Sequence, residues 1–382
     1  MSSHGAFVIG AGFAGAVVAR ELAERGGFKV LLLERRSHVG GNAYDRIDDA
    51  GVLIHQYGPH IFHTSNQRVW DYLSRFSDWN PYQHRVVANV HGLELPVPFN
   101  LSSLSLAFGA ERAAILEAKL LQVYGKEKKV TILELRQNSE FSELADYIYE
   151  NVFLHYTMKQ WGTSPEEIDP NTIARVPVFL SRDDRYFQDP YQGLPTQGYT
   201  ALFSNLLDHP NIEVRLATPA EAHLTLEDKL CWDGVPIEAP VIYTGALDEL
   251  FSCRFGRLPY RTLDFAFESL PIDQFQSHAT VNYTVDEAYT RITEFKHMTG
   301  QKIAKHTTIV REYPHTYSAA PGEVPYYAVL SPESRARYDA YRNAAAHYGN
   351  LYPLGRLAEY QYYNMDTMTE RALSLCDQLL NH

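Results

Sequence analysis

The first forty-two residues constrain this chain more than any other stretch. Phe7-Val8-Ile9 is a short apolar run, and Gly10-Ala11-Gly12-Phe13-Ala14-Gly15 follows at once. A helical pattern then runs from Ala16 to Glu24. Lys29 to Leu33 is a second apolar run, and it ends on Glu34. Strand, glycine turn, helix, strand and acid in this order make a dinucleotide-binding unit. The first glycine allows the tight turn, the second lets backbone approach a pyrophosphate, and the third lets helix and strand pack closely. The unpaired N–H groups of the helix N-terminus then face the phosphates. Glu34 stands where a carboxylate accepts from ribose hydroxyls. Gly10, Gly12, Phe13, Ala14, Gly15 and Glu34 are the first expected cofactor contacts.

The residues after the acid choose the cofactor. Arg35-Arg36-Ser37-His38-Val39-Gly40-Gly41-Asn42 follows directly. An acid, then basic residues, then a Gly-Gly pair resembles the FAD-binding oxidases and monooxygenases. FAD is therefore expected at the N-terminus, with Arg35, Gly41 and Asn42 among its contacts.

Composition excludes several classes. A chain of 382 residues is too long for one simple core, so two or three domains are expected. Net charge is -12 with no basic block, which argues against a nucleic-acid surface. An anionic substrate must then be met by a local cluster of Arg or Lys, against the overall field. Cys231, Cys253 and Cys376 are scattered, with no Cys-x-x-Cys, which fits a reducing compartment and removes flavin-disulfide chemistry. With no signal-type N-terminus and no long apolar stretch, a cytoplasmic protein without a membrane span is expected. Tyrosine is abundant, at 26 residues, and many lie near Pro, Gly and Arg in loop-like stretches, where a flat face and a hydroxyl donor suit a base-stacking, phosphate-binding cleft.

Along the chain, Asp45 to Ile54 reads as a hairpin and Ser65 to Phe76 as a helix. Between them Gly58-Pro59 fixes a turn that places His60 and His63. Trp79 to Pro98 is strand-like. Leu101 to Tyr124 and Ser142 to Trp161 are mostly helical, with a polar segment, Gly125 to Glu140, between them. Pro165 to Pro195 is irregular and suits a lid. Gly198 to Leu207 is a helix and Ile212 to Leu216 a strand. Ala239 to Gly245 is a buried strand that rejoins the nucleotide-binding sheet. Leu258 to Val310 alternates as an antiparallel sheet. Leu351 to Gly355 is a last strand, and Thr367 to Leu380 a terminal helix. The fold class is α/β, with a discontinuous Rossmann-like FAD-binding domain, a helical insertion and an antiparallel β-sheet substrate domain. The FAD-binding domain is expected over 1–78, 196–254 and 330–382, the helical domain over 100–150, and the substrate domain over 79–99, 151–195 and 255–329, with a mobile lid near 165–190.

Six stretches carry a family resemblance. They are Gly58-Pro59-His60-Ile61-Phe62-His63-Thr64, Tyr156-Thr157-Met158-Lys159-Gln160-Trp161, Tyr186 to Gly193, Tyr289-Thr290-Arg291, Pro325-Tyr326-Tyr327, and Gly355 to Asp366. Together, and in this order, they resemble the UDP-galactopyranose mutases from end to end. The resemblance implies an isomerase that interconverts UDP-galactopyranose and UDP-galactofuranose and supplies galactofuranose for cell-surface glycans. It implies reduced FAD, with N5 as nucleophile on the anomeric carbon and no net redox change. An external reductant such as NAD(P)H and a homodimer are further family expectations.

The same resemblance assigns residues. Arg175 and Arg291 match the arginines that hold the diphosphate, a task suited to a permanently charged donor fork. Tyr186, Tyr327 and Tyr362 match tyrosines that donate to it. Tyr156, Thr157 and Trp161 match the uridine side and the floor of the sugar pocket, and Phe187 is placed to stack on uracil. Asn282 matches a substrate contact. His60, Ile61 and His63 lie on the loop that meets the flavin ring, and His63 approaches N5, where an imidazole can tune protonation. His60, His63, Arg175 and Arg291 are thus the expected catalytic set. No third ligand accompanies the His-x-x-His spacing, so no metal is expected. Arg356, Tyr363, Asn364, Met365, Asp366 and Thr367 match the C-terminal flavin segment, where amides at a helix start favour an anionic flavin.

The chain departs from the family pattern in places. Asn364, which also faces the sugar, stands where many members carry Asp, and His84, an expected substrate contact, where many carry Asn. Val178-Phe179 replaces a common Val-Arg, and Leu351 to Leu354 is not the usual run. These departures leave the fold and flavin chemistry intact but leave open a mutase of another nucleotide sugar, such as a dTDP-deoxyhexose. An amine-oxidase-like FAD oxidoreductase, which shares the N-terminal unit and the discontinuous domain, is the alternative from another enzyme class.

Overall fold

The computed structural model describes residues 4–162, 164 and 177–381. Its centre is a five-stranded parallel sheet. β1 (Ala6–Ile9) lies between β2 (Val30–Leu33) and Val241–Tyr243, with Ile212–Arg215 and Leu351–Pro353 outside them. Its central strands are apolar at every position because both faces are covered, as parallel sheets require. Val8, Leu32 and Ile242 face one layer, where α1 (Phe13–Glu24) packs with helices Tyr199–Leu207 and Met365–Leu380. Phe7, Ile9, Leu31 and Leu33 face the other, against Trp232 and Tyr341. The fold is α/β with a discontinuous Rossmann-like unit, and the buried Val241–Tyr243 rejoins the N-terminal sheet as expected.

A seven-stranded sheet forms the second body, in the order Tyr327–Ala328, Tyr260–Leu270, Thr307–Thr316, Arg291–Glu294, Thr280–Tyr283, Val86–Val90, Leu93–Val97. It is not wholly antiparallel, as the alternation had implied. Thr280–Tyr283 runs parallel to Val86–Val90, because the hairpin of residues 86–97 joins the sheet from far upstream rather than by a local turn.

The helical insertion packs its own core, including Leu104, Leu120, Phe141, Leu144 and Phe153, against Val86 and Leu95 of that sheet. Leu101–Phe108 and Ala110–Tyr124 are separate helices, divided at Gly109, whose φ of +75° no continuing helix adopts. The polar segment between the expected helices is not simply polar. Lys129–Val130 forms a strand, and Ile132–Gln137 is a helix with buried Ile132 and Leu135. Its signal was a capping box: Thr131 accepts from the Glu134 N–H, and Glu134 accepts from Thr131.

The expected irregular stretch, 165–195, also changes character. Residues 165–176 lie outside the described ones. Beyond them, Val178–Phe179 pairs with Lys129–Val130, and Tyr191–Pro195 is the middle strand of a small sheet, between Phe62–Thr64 and Trp79–Pro81. The expected lid near 165–190 therefore includes residues pinned to the body: Asn100 donates to Asp184, and the Tyr186 N–H donates to the His84 carbonyl. Helix Pro332–Ala346, capped by Ser331 with Pro332 at its first turn, was not anticipated, although Ser-Pro before a helical run is a start signal.

Candidate active site

One cleft of ≈ 1090 Å³ runs from the glycine turn to the seven-stranded sheet. At its first end the backbone does the shaping. Gly10 has φ +105°, and a Cβ there would lie 2.0 Å from Thr244 Oγ1. A Cβ on Gly15 would lie 1.9 Å from the Gly10 carbonyl, so Gly15 sets helix against strand without lining the cleft. Gly12, Phe13 and Ala14 do line it. Gly12 caps α1, and no side chain occupies the first-turn N–H groups, which stay available to an anion.

Glu34 is buried and accepts from the N–H of Ala11 and of Arg36, each at 2.9 Å. An ionised carboxylate has about four lone-pair sites. The two left over suit ribose hydroxyls. Gly41 and Asn42 complete this wall.

The adjacent arginines divide. Arg35, the expected cofactor contact, lines the edge of the cleft but gives its guanidinium to Glu249 at 2.8 Å and is half exposed. Arg36 is held inward by Asn42 and lies 4.4 Å over the Tyr57 ring, and its buried Nη1 has no partner among the described residues. An orphaned guanidinium nitrogen beside a phosphate-ready helix start fits a dinucleotide. The signal available was the pair of basic residues directly after the acid that ends the second strand.

The histidine loop follows. The His60 N–H donates to His55 Nδ1, and His60 Nδ1 donates to the Gly58 carbonyl. Burial lowers His60 to about 3 and His55 to about 4, so both rings stay neutral. Ile61 lines the cleft beside them. His63 Nδ1 donates to Asp189 Oδ2 at 2.8 Å, and its ring stacks on Phe187 with centroids 3.6 Å apart. Phe187 thus has one face on His63, a placement the uracil expectation did not include.

From the C-terminal segment, Arg356, Tyr363, Asn364 and Met365 line the cleft. Arg356 lies 4.3 Å over the ring of Tyr362 and 5.7 Å over that of Tyr327. Asn364 caps Met365–Leu380 without using its side chain. Asp366 and Thr367 are not in the lining. Asp366 accepts from Thr64 Oγ and from the Thr367 N–H, tying this helix to the strand that carries His63.

At the far end, side chains meet across the sheet. Ala88, Asn282, Arg291 and Glu312 occupy directly opposed positions on four adjacent strands, so they share one face. Arg291 lies 3.1 Å from Glu312; Glu312 is buried and Arg291 is partly exposed to the cleft. Burial opposes its charge, but the Glu312 carboxylate holds the Arg291 pKa well above the ordinary value, and the guanidinium stays charged. Burial likewise raises Glu312. Asn282 Oδ1 and Gln160 Oε1 are buried in the lining and have no partner among the described residues.

Helix His155–Trp161 brings Tyr156, Thr157 and Trp161 to the same space. Lys159 donates to the carbonyls of Tyr283 and Glu287, and Arg261 donates to those of Lys159 and Gln160, which fixes the helix on the sheet. Burial raises Tyr156 and Tyr327, which keeps their hydroxyls protonated as donors. Tyr186 and half-exposed Tyr362 complete the ring of phenols. His84 is buried and neutral, lowered to about 3, with its Nδ1 3.0 Å from the Tyr82 hydroxyl. Arg175 lies outside the described residues. Sequence reasoning missed Glu312, Asp189, Arg36 and the two cations under the helix.

The comparisons agree with this geometry. A family model described as UDP-galactopyranose mutase matches residues 151–362, and one for an NAD(P)-binding Rossmann-like domain matches 8–76. The chain is 37% identical to the UDP-galactopyranose mutase of Mycoplasma pneumoniae, over 98% of this chain and 95% of that one. It is 34% identical to the dTDP-fucopyranose mutase of Escherichia coli, over 97% of each. A solved structure of a reduced UDP-galactopyranose mutase superposes with a TM-score of 0.69 at 15% identity, covering 100% of this chain and 94% of that one, a likeness of fold.

Proposed function

The chain belongs to the UDP-galactopyranose mutase family, an isomerase family, and from that premise we propose that it interconverts UDP-galactopyranose and UDP-galactofuranose with FAD in its cleft. One observation carries the reading: a charged, partly buried Arg291 among tyrosine hydroxyls shares with the histidine loop a cavity continuous with the dinucleotide turn. Single-ligand pockets run to about 1,000 Å³. At ≈ 1090 Å³ this cleft stands at the upper end of that range, and its lining runs from Gly10 to Arg291.

Glycines 10 and 12, the first turn of α1, Glu34 and Arg36 would hold the FAD. When bound and reduced, the flavin would supply the nucleophile for the anomeric carbon without net consumption of electrons. The remaining work falls to side chains. Arg291 and the hydroxyls of Tyr156, Tyr186, Tyr327 and Tyr362 neutralise the departing diphosphate, where low dielectric makes each donor worth more. We assign the second diphosphate arginine to Arg175. Asn282, His84 and Asn364 face the sugar, and Thr157 and Trp161 enclose it against water. Domain limits follow the same reading: 1–78, 196–254 and 330–382 for the cofactor, 100–150 for the helical insertion, and the rest for the substrate.

A 6-deoxysugar nucleotide is the second reading. It is favoured by the 34% identity to a dTDP-fucopyranose mutase and by His84 and Asn364. Chromatography of UDP-galactofuranose with the purified protein, with and without dithionite, tests the choice. Conversion to the pyranose only after reduction is expected. Failure in both states, with FAD bound and dTDP-fucofuranose converted, would transfer the assignment to the deoxysugar.

A further inference from the structure

When a galactose nucleotide passes from the six- to the five-membered ring, the bond from the anomeric carbon to O5 breaks and one to O4 forms. O5 gains a proton as it becomes a hydroxyl, and the 4-hydroxyl loses one. The two changes cancel, so one group that takes and returns a proton can serve a whole turnover.

Three imidazoles line the cleft: His60, His63 and His84. His60 gives its Nδ1 proton to a carbonyl, and His84 meets a phenol. Among the described residues, neither ring is hydrogen-bonded to a carboxylate that could stabilise an imidazolium. Among the described residues, His63 is the cleft imidazole bonded to a carboxylate.

We propose, on the mutase reading above, that Asp189 is a positioning residue that keeps the Nδ1–H tautomer of His63 and so leaves Nε2 as the proton-accepting nitrogen. A carboxylate only accepts, so a neutral ring 2.8 Å from it must carry its proton on Nδ1. No hydrogen bond within the described residues reaches Nε2. If the ring takes a second proton, Asp189 faces the charge. The ring plane is fixed by Phe187, stacked at 3.6 Å and 13°. Both supports sit on one loop, which the neighbouring strand staples in place. Gln192, opposite His63 in the sheet, donates Nε2 to the carbonyls of Asp189 (2.7 Å) and Phe187 (3.1 Å). Tautomer and orientation are thus set from a stretch 126 residues away.

The test is long-range ¹H–¹⁵N correlation on the ¹⁵N-histidine-labelled holoprotein, with His63 assigned through His63→Gln. The wild type should show a protonated Nδ1 and a bare Nε2. Asp189→Asn, with FAD content and melting checked, should mix or invert that pattern. It should lower kcat about 10²-fold, as loss of a positioned acid–base group does, while KM moves less than about threefold. An Nε2–H tautomer in the wild type would overturn the proposal. So would an Asp189→Asn protein with an altered tautomer and unchanged kcat. Because the tautomer is read without turnover, an Nδ1–H ring in a protein inert toward galactose nucleotides would retain the dyad and overturn the mutase reading alone.

Discussion

At the dinucleotide end of the cleft, the contacts are mainly backbone: glycine Cα positions, the free amides of α1, and a carboxylate oriented by two main-chain N–H groups. At the sugar-diphosphate end they are side chains that reach the cavity from four strands, a helix and two loops. The first end is a short local motif. The second is an arrangement that exists only after the sheet has its register. A lining built from separate side chains can be altered one residue at a time, while at the first end a Cβ on Gly10 or Gly15 has no room.

Substitutions should expose that difference. The largest effect belongs to Gly15→Val. With a Cβ already 1.9 Å from the Gly10 carbonyl, helix and strand cannot both keep their places. Soluble yield and the flavin absorbance of the product should both collapse, and a yellow, folded protein would show that the turn is not rigid.

Arg291→Ala comes next. It leaves Glu312 buried without its counter-charge, a loss of about 3–5 kcal/mol that denaturant unfolding should register, and turnover should disappear while FAD stays bound. The pH dependence has a definite sign. Glu312 is raised by burial, and removing Arg291 takes away what lowers it. The folded variant then binds more protons than the unfolded chain, so its stability is fullest below the ordinary carboxylate range and falls as pH rises through the raised value. A variant that is stronger at pH 8 than at pH 5 would refute the buried-pair account.

Glu34→Ala removes a ribose acceptor and leaves the Ala11 and Arg36 amides unpaired. FAD affinity should fall by about 10- to 100-fold, the range for a charged hydrogen bond, measured by equilibrium dialysis, with turnover restored by excess FAD. The smallest contrast is between neighbours. Arg36→Ala should weaken FAD by about tenfold, again the scale of one charge-assisted bond. Arg35→Ala, which breaks an exposed pair with Glu249, should cost less than about 1 kcal/mol of stability and leave FAD binding unchanged. Equal effects would mean that the partnerless Nη1 of Arg36 carries nothing.

The same contrast explains what could be read in advance. The unit from β1 to Glu34 was legible because its signals are contiguous, and Val241–Tyr243 because a fully apolar run ending in glycine has few other places to go. The row from Ala88 to Glu312 was not. Glu312 lies in a strand whose alternation says which face it takes but not which residue stands opposite. The parallel pairing of Thr280–Tyr283 with Val86–Val90 hid the same way, since local periodicity does not encode strand direction. Asp189 carried no signal beyond its place beside an aromatic, because its partner is set by sheet register. Arg36 was within reach, since it stands in the basic pair that directly follows Glu34.

The closing strands of the parallel sheet have a consequence for how the molecule is made. Val8 pairs with Ile242, and that strand in turn with Leu351–Pro353, while α1 rests on the helix Met365–Leu380. The strands and helix that hold the glycine turn are thus supplied from far downstream of it. Loop closure over such distances is entropically costly and slow. Until those partners arrive, the turn is an exposed, unfinished edge of the kind that chaperones are suited to cover.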